Sequence, residues 1–120
     1  MNQEVKTLWT GALRSGEFTQ GKNYLDADGK QCCLGVLCIL AVRAGVDVSV
    51  RTGLSGIVYY DDEAEFLPQS VMDWAGLGHW NPDVTFTENE HQSVEGLGYV
   101  NDEVEDGTFE RIADLIDAQL

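Results

Sequence analysis

The chain has 120 residues, of which 43% are hydrophobic and 23% are charged, and its formal net charge is -14. This length and composition are typical of one globular domain around a single core, so we assign residues 1–120 to one domain. The negative charge argues against direct binding of nucleic acid, which requires clustered lysine and arginine to displace counterions from phosphates.

The first half of the chain is predicted to contain two helices and two hairpins. Apolar residues at three- and four-residue steps predict a helix over residues 3–14 and a second, central helix over residues 33–44, which ends at Gly45. Asp28-Gly29 lies between two short extended runs and predicts a tight hairpin. Alternating and β-branched residues predict further strands at 46–50 and 56–60.

Two helices are also predicted in the second half. The stretch FLPQSVMDWAGLG predicts a short helix with Pro68 in its first turn and Gly76 at its end. DVTFT predicts a strand, and the rest of 79–98 is predicted to be polar loop or a short turn of helix. Thr108 is a favourable N-cap for a final amphipathic helix. We therefore expect an α+β fold in which about four helices pack on a small antiparallel sheet.

Acidic side chains are concentrated in the second half of the chain. Residues 1–52 hold six basic and five acidic side chains, whereas residues 53–120 hold one arginine and sixteen acidic side chains. Such a surface is either simply solvated or a phosphate-mimicking face that docks on a basic partner protein and inhibits it. The docking hypothesis predicts binding that weakens as the salt concentration rises.

Three cysteines lie in the segment KQCCLGVLC, residues 30–38, at the start of the central helix. An odd number of cysteines with two adjacent in sequence does not form a disulfide framework. The CC-x4-C spacing and the two isolated histidines do not match a zinc site, so we expect no metal and no cofactor. The simplest prediction is that Cys33 and Cys38 are small buried apolar residues.

A catalytic alternative for Cys33 stays open from the sequence alone. A cysteine at a helix N-terminus has its thiolate stabilised by free backbone N–H groups and by the helix dipole. The stretch CCLGV is similar to the helix start of papain-like peptidoglycan hydrolases, with Cys33 and Gly35 matching. A thiol hydrolase of that kind would need His79 or His91 as its general base.

Four motifs in order resemble a family of small uncharacterised proteins encoded by tailed bacteriophages. They are the ALRSG...QG box, the CCLGVLC helix, the LPxxVxxWAGL helix and the closing ND...TFxxIADxI helix. The chain departs from that pattern at Ile39, where the family usually has an acid, and in the DEVED segment before Thr108. The resemblance implies an accessory protein that acts in the host cytoplasm, so the basic partner in the docking alternative would be a host protein. Independently of the resemblance, the longest apolar stretch, Leu34 to Val42, is interrupted by Gly35 and is too short to span a bilayer, so we expect no membrane segment.

Such a phage protein is expected to sequester a nucleotide-derived host immune signal, and this is the favoured function. The ligand would be small and anionic, and the function predicts a homo-oligomer. Phosphates would be held by cations, polar side chains and the N-terminus of the central helix, and a base would stack on aromatic rings. The candidate ligand-binding residues are Arg14, Ser15, Gln20, Lys22, Cys33, Gly35, Tyr59 and Trp80. Arg14 alternatively complements the dipole at its helix C-terminus, and Trp9 and Trp74 are predicted to be core residues.

Overall fold

The computed structural model describes residues 1–120 as one compact α+β domain with five helices and three two-stranded antiparallel hairpins. The predicted fold class is therefore confirmed. The helices are α1 (Gln3–Arg14), α2 (Cys33–Arg43), α3 (Gln69–Ala75), α4 (Leu97–Glu103) and α5 (Phe109–Gln119). The strands are β1 (Asp26–Ala27), β2 (Lys30–Gln31), β3 (Val50–Thr52), β4 (Val58–Tyr60), β5 (Asp83–Glu88) and β6 (His91–Gly96).

Helix α2 is the centre of the core, as its periodicity predicts. Every residue from Cys33 to Cys38 is buried, and α1, α3 and α4 all pack against this helix. Trp9 of α1 is fully buried, and its indole Nε1 donates to the carbonyl oxygen of Cys33 at 2.9 Å. Trp74 of α3, which we expected in the core, lies half-buried at its edge. The apolar faces of α1, α3 and α4 thus converge on α2.

The first and last hairpins close through residues with positive φ. Asp28 and Gly29 have φ of 53° and 78°, and Asn89 and Glu90 have φ of 51° and 68°. Two consecutive positive φ values are typical of the two-residue turns that match the twist of paired strands. The hairpin predicted at Asp28-Gly29 is confirmed.

The strands differ from the prediction in their bounds and in their arrangement. Val50 of β3 pairs with Tyr60 of β4, so the pairing begins at the end of the expected 46–50 strand. No hairpin joins another into a larger sheet, although single bridges link Ala27 to Ile57 and Gln20 to Gln31. The expected single sheet is therefore three separate ribbons packed around the helices.

Helix α4 and strand β6 are the elements that the sequence prediction missed. α4 is only seven residues long, and Leu97, Val100 and Asn101 are its buried residues. Asn101 and Asp102 both lie within α4. None of the helices has the length and apolar composition needed to cross a membrane.

Candidate functional site

The start of α2, one of the predicted anion sites, is occupied by a side chain of α4. The backbone N–H of Cys33 donates to Asn101 Oδ1 at 3.1 Å. Asn101 is 1% exposed, and its Nδ2 donates to the carbonyl oxygen of Gly21 at 2.8 Å. The backbone N–H of Cys33, which the sequence predicts to bind a ligand, is thus capped by the Asn101 side chain of α4.

The Cys33 thiol is buried without an imidazole partner. Its Sγ donates to the carbonyl oxygen of Leu97 at 3.7 Å, and burial raises the pKa of this thiol well above its usual range. His79 is exposed, and its Nδ1 accepts from the backbone N–H of Asn81. His91 lies exposed in β6. A thiolate nucleophile needs access and a base, so this arrangement does not support the papain-like alternative.

All three cysteines are reduced and buried, which confirms the prediction that Cys33 and Cys38 are core residues. Burial also raises the pKa of Cys32 to about 11 and that of Cys38 well above its usual range. No group of three or more histidine, cysteine, aspartate or glutamate side chains is arranged to hold a metal ion.

Gly35 is buried because the backbone of another segment lies against it. A Cβ atom at this position would lie 1.6 Å from the carbonyl oxygen of Leu25. The missing side chain lets the loop before β1 pack directly on α2, so Gly35 has a structural role and does not face a cleft.

Arg14 and Ser15 at the end of α1 are held by intramolecular partners. The guanidinium of Arg14 lies 2.8 Å from Asp114 Oδ1 and 2.8 Å from Asp117 Oδ2, both on α5. Both hydrogen bonds raise the pKa of Arg14, the bond with Asp114 more than the bond with Asp117. Ser15 Oγ donates to the carbonyl oxygen of Ala12 at 2.7 Å. Arg14 thus joins α1 to α5.

Gln20 is another structural connector. Its Nε2 donates to Asn101 Oδ1 at 2.9 Å and to the carbonyl oxygen of Gly107 at 2.8 Å, and its Oε1 accepts from the N–H of Phe109. All of these bonds lie within the fold, so the carboxamide holds the start of α5 against α4.

The two predicted stacking residues lie at different places. The guanidinium carbon of Arg51 lies 4.2 Å from the ring centroid of Tyr59. Trp80 is half exposed, and its ring centroid lies 4.1 Å from that of His79. Neither ring lines the same concavity as Lys22. Lys22 therefore lines this concavity without any of the other seven candidate residues.

Lys22 does line a cleft of about 420 Å³, together with residues that sequence reasoning did not single out. Three segments form its walls: the loop before β1, the β1–β2 hairpin and the loop between β3 and β4. We call it the lysine cleft, and its side chains used below are Lys22, Tyr24, Asp28, Lys30, Ser55 and Ile57.

Backbone hydrogen bonds hold these three segments together. The N–H of Gly21 donates to the carbonyl oxygen of Gln31 at 2.7 Å, which places the loop carrying Lys22 beside the strand carrying Lys30. The N–H of Asp28 donates to the carbonyl oxygen of Gly56 at 3.1 Å, which brings the third wall into place. Both hydrogen bonds join residues that are ten or more positions apart, so no local pattern in the sequence predicts the cleft.

The charge of the lysine cleft differs from that of the chain. Each of the four arginines forms an ion pair with an acidic side chain. None of the lysines forms one, and two of the three, Lys22 and Lys30, line the lysine cleft. With Asp28 as its only acid, the cleft carries one net positive charge on a protein of charge -14.

The chain has no significant match among curated proteins or among solved structures. A family model described as Domain of unknown function (DUF8296) matches residues 1–120, and the chain therefore belongs to that family.

Proposed function

We propose that this protein is a binding module that captures a small anionic, nucleotide-derived ligand in the lysine cleft. The observation that carries the proposal is that the two lysines lining the cleft have no ion-pair partner, whereas every arginine of the chain does. Free cations in a concave wall are the feature that attracts phosphate to an otherwise acidic protein.

The other lining residues fit the remaining parts of a nucleotide. Tyr24 is 37% exposed, and its ring offers a surface for stacking a base. Asp28 can accept hydrogen bonds from ribose hydroxyls, as acidic residues do in other nucleotide sites. The volume of about 420 Å³ falls within the range of about 300–1,000 Å³ that is usual for small-molecule sites.

Capture without chemistry is the simplest role for this cleft. Its ionisable side chains are two lysines, a tyrosine and an aspartate. Catalysis of hydrolysis would require a nucleophile or a water held by a general base, with donors for the developing charge. A stoichiometric binder needs only affinity and a sufficient concentration of protein.

The resemblance to phage-encoded accessory proteins supports the biological side of the proposal. In the cytoplasm of an infected host, a protein of this kind would bind a nucleotide-derived immune signal and lower its free concentration. Oligomerisation would raise the number of sites per particle without changing the chemistry of each site.

A thermal-shift panel of purified full-length protein tests this function. Cyclic nucleotides, linear nucleotides and ADP-ribose derivatives are compared at low salt with inorganic phosphate as the control. We expect at least one nucleotide to raise the melting temperature. At a ligand concentration a hundredfold above Kd, binding adds about 3 kcal/mol to the free energy of unfolding. A panel in which no nucleotide exceeds phosphate would contradict the proposal.

A further inference from the structure

Two neighbouring concavities on another part of the surface share the side chain of Phe66. The first, of about 490 Å³, is lined by Phe66, Met72 and Trp80 among others, and the second, of about 350 Å³, is lined by Phe66 and Tyr99. We call the combined surface the aromatic groove. It shares no lining residue with the lysine cleft.

Large aromatic side chains are unusually exposed in the aromatic groove. Phe66 is 37% exposed, Trp80 is 50% exposed and Tyr99 is 38% exposed. Only one other tryptophan, tyrosine or phenylalanine of the chain, Tyr24, is as exposed as these. Aromatic side chains gathered in one concave surface are typical of protein interfaces, where their burial supplies most of the binding energy.

The charge of the aromatic groove is entirely negative. Glu63, Glu65, Asp102 and Glu103 line it, and no lysine or arginine does. None of these four carboxylates forms an ion pair within the protein. The charge therefore opposes a nucleic acid, an anionic membrane or a nucleotide, and complements a cationic partner.

Negative charge continues beyond the aromatic groove on one side. Glu103 also lines a polar concavity of about 900 Å³ that contains Glu88, Glu105 and Asp106 and no apolar residue. Asp106 is paired with Arg111, whereas the other acids are free of ion pairs. An extended segment bound in the aromatic groove can thus place its apolar side chains beside the aromatic rings and additional cationic side chains in this acidic concavity.

We propose that the aromatic groove binds an extended basic segment of a partner protein, in which arginine alternates with apolar side chains. Arginine fits better than lysine because its planar guanidinium stacks on exposed aromatic rings and pairs with carboxylates in a bidentate way. The apolar side chains of the segment fill the concavity beside Phe66, Met72 and Trp80. This interaction uses a different surface from the lysine cleft and does not depend on nucleotide binding.

Fluorescence anisotropy with the full-length protein tests this proposal. The probe is a short labelled peptide of alternating arginine and leucine, compared with one in which serine replaces leucine and one in which glutamate replaces arginine. We expect the arginine–leucine peptide to bind about tenfold more tightly than the arginine–serine peptide. The glutamate peptide should not bind, and high salt should weaken the arginine–leucine complex.

Variants separate the groove from general charge attraction. Trp80→Ala and Tyr99→Ser should each weaken binding several-fold, and Glu65→Gln combined with Glu103→Gln should weaken it and reduce its salt dependence. Val94→Ala and Glu95→Gln, at exposed positions of β6 outside the groove, are the matched controls and should bind as the parent does. Far-ultraviolet circular dichroism verifies that each variant is folded.

Three results would overturn the proposal. They are equal affinity for the arginine–leucine and arginine–serine peptides, retention of full affinity by folded Trp80→Ala and Tyr99→Ser, or equal losses in the β6 controls. The first would show that attraction is only electrostatic, and the other two would place binding elsewhere on the surface.

Discussion

Asn101 Oδ1 accepts a hydrogen bond from the backbone N–H of Cys33 at 3.1 Å and another from Gln20 Nε2 at 2.9 Å. One buried carboxamide therefore joins the central helix, the loop after α1 and α4. Buried polar groups of this kind stabilise a fold only when every donor and acceptor is paired, and the structure contains no buried side-chain nitrogen or oxygen without a partner.

Asn101→Ala is expected to be strongly destabilising. It removes the acceptor for the N–H of Cys33 and for Gln20, and it leaves the carbonyl oxygen of Gly21 without its donor. We expect a loss of about 2–4 kcal/mol in the free energy of unfolding, measured by urea denaturation. Gln92→Ala, at an exposed position of β6, is the control and should change it by less than about 0.5 kcal/mol. Equal effects of the two substitutions would contradict the structural role of Asn101.

A pair of glycine substitutions tests the packing of the β1 loop on α2. In Gly35→Ala the new methyl group would lie 1.6 Å from the carbonyl oxygen of Leu25, so the segments must separate. Gly11→Ala in α1 meets no atom within 4 Å and should stabilise the helix by up to about 1 kcal/mol. We expect the melting temperature to fall sharply in the first variant and to stay the same or rise in the second. A Gly35→Ala protein as stable as the parent would show that the two segments are not in direct contact.

The fold could be predicted where the information is local. Helix α2 has a continuous apolar sequence, α1 and α5 have an apolar stripe, and the Asp28-Gly29 turn requires positive φ, so each was found. Helix α4 was missed because it is short and its buried face includes the polar Asn101. Its helical state depends on packing against α2 and α5, which no window of the sequence contains.

The candidate site was predicted less well for a related reason. In the sequence, nothing distinguishes Arg14 from Lys22 as a candidate anion-binding cation. In the structure, Arg14 forms an ion pair with Asp114, a hundred positions later, whereas Lys22 forms no ion pair. The lysine cleft likewise depends on hydrogen bonds from Gly21 to Gln31 and from Asp28 to Gly56. Charge and residue type indicated an anion site in the first half, and only the tertiary structure distinguishes paired cations from free ones.

The buried thiols should make the protein less stable at alkaline pH. Burial raises the pKa of Cys32 from its ordinary value of 9.0 to about 11, so the folded state keeps a proton that the unfolded chain loses. The stability from this thiol is therefore fully present below about pH 9 and is lost as the pH rises through about 11. Its contribution has a slope of about 1.4 kcal/mol per pH unit within that window.

Urea denaturation from neutral pH to about pH 11 checks this expectation. Cys33, Cys38 and Tyr60, whose pKa values are also raised by burial, add to the same loss, so the parent protein alone does not isolate Cys32. Cys32→Ala should show a shallower decline than the parent. Identical slopes in the two proteins would mean that the Cys32 thiol is hydrated in the folded state.

Tyr60→Phe tests the polar contact that joins the first two hairpins. Tyr60 Oη donates to Asp26 Oδ2 at 2.7 Å, and Asp26 is 9% exposed with no cationic partner. Removing the hydroxyl leaves one carboxylate oxygen without its donor, and we expect a loss of about 1–3 kcal/mol in the free energy of unfolding. Tyr99→Phe, at an exposed tyrosine, is the matched control and should have little effect on stability.

Charge-matched substitutions test the lysine cleft against the other cations of the first half. Lys22→Ala and Lys30→Ala should each weaken nucleotide binding about tenfold or more, because each removes an unpaired cation from the cleft. Lys6→Ala removes an equally unpaired lysine from α1, and Arg14→Gln removes a cation already paired with Asp114 and Asp117. Both should bind as the parent does, because neither Lys6 nor Arg14 lines the cleft. The comparison is matched because all four variants change the net charge equally. Isothermal titration calorimetry with the strongest nucleotide from the thermal-shift panel measures the difference. If Arg14→Gln lost binding while Lys22→Ala and Lys30→Ala kept it, the ligand would lie at the end of α1 and the assignment of the lysine cleft would be wrong.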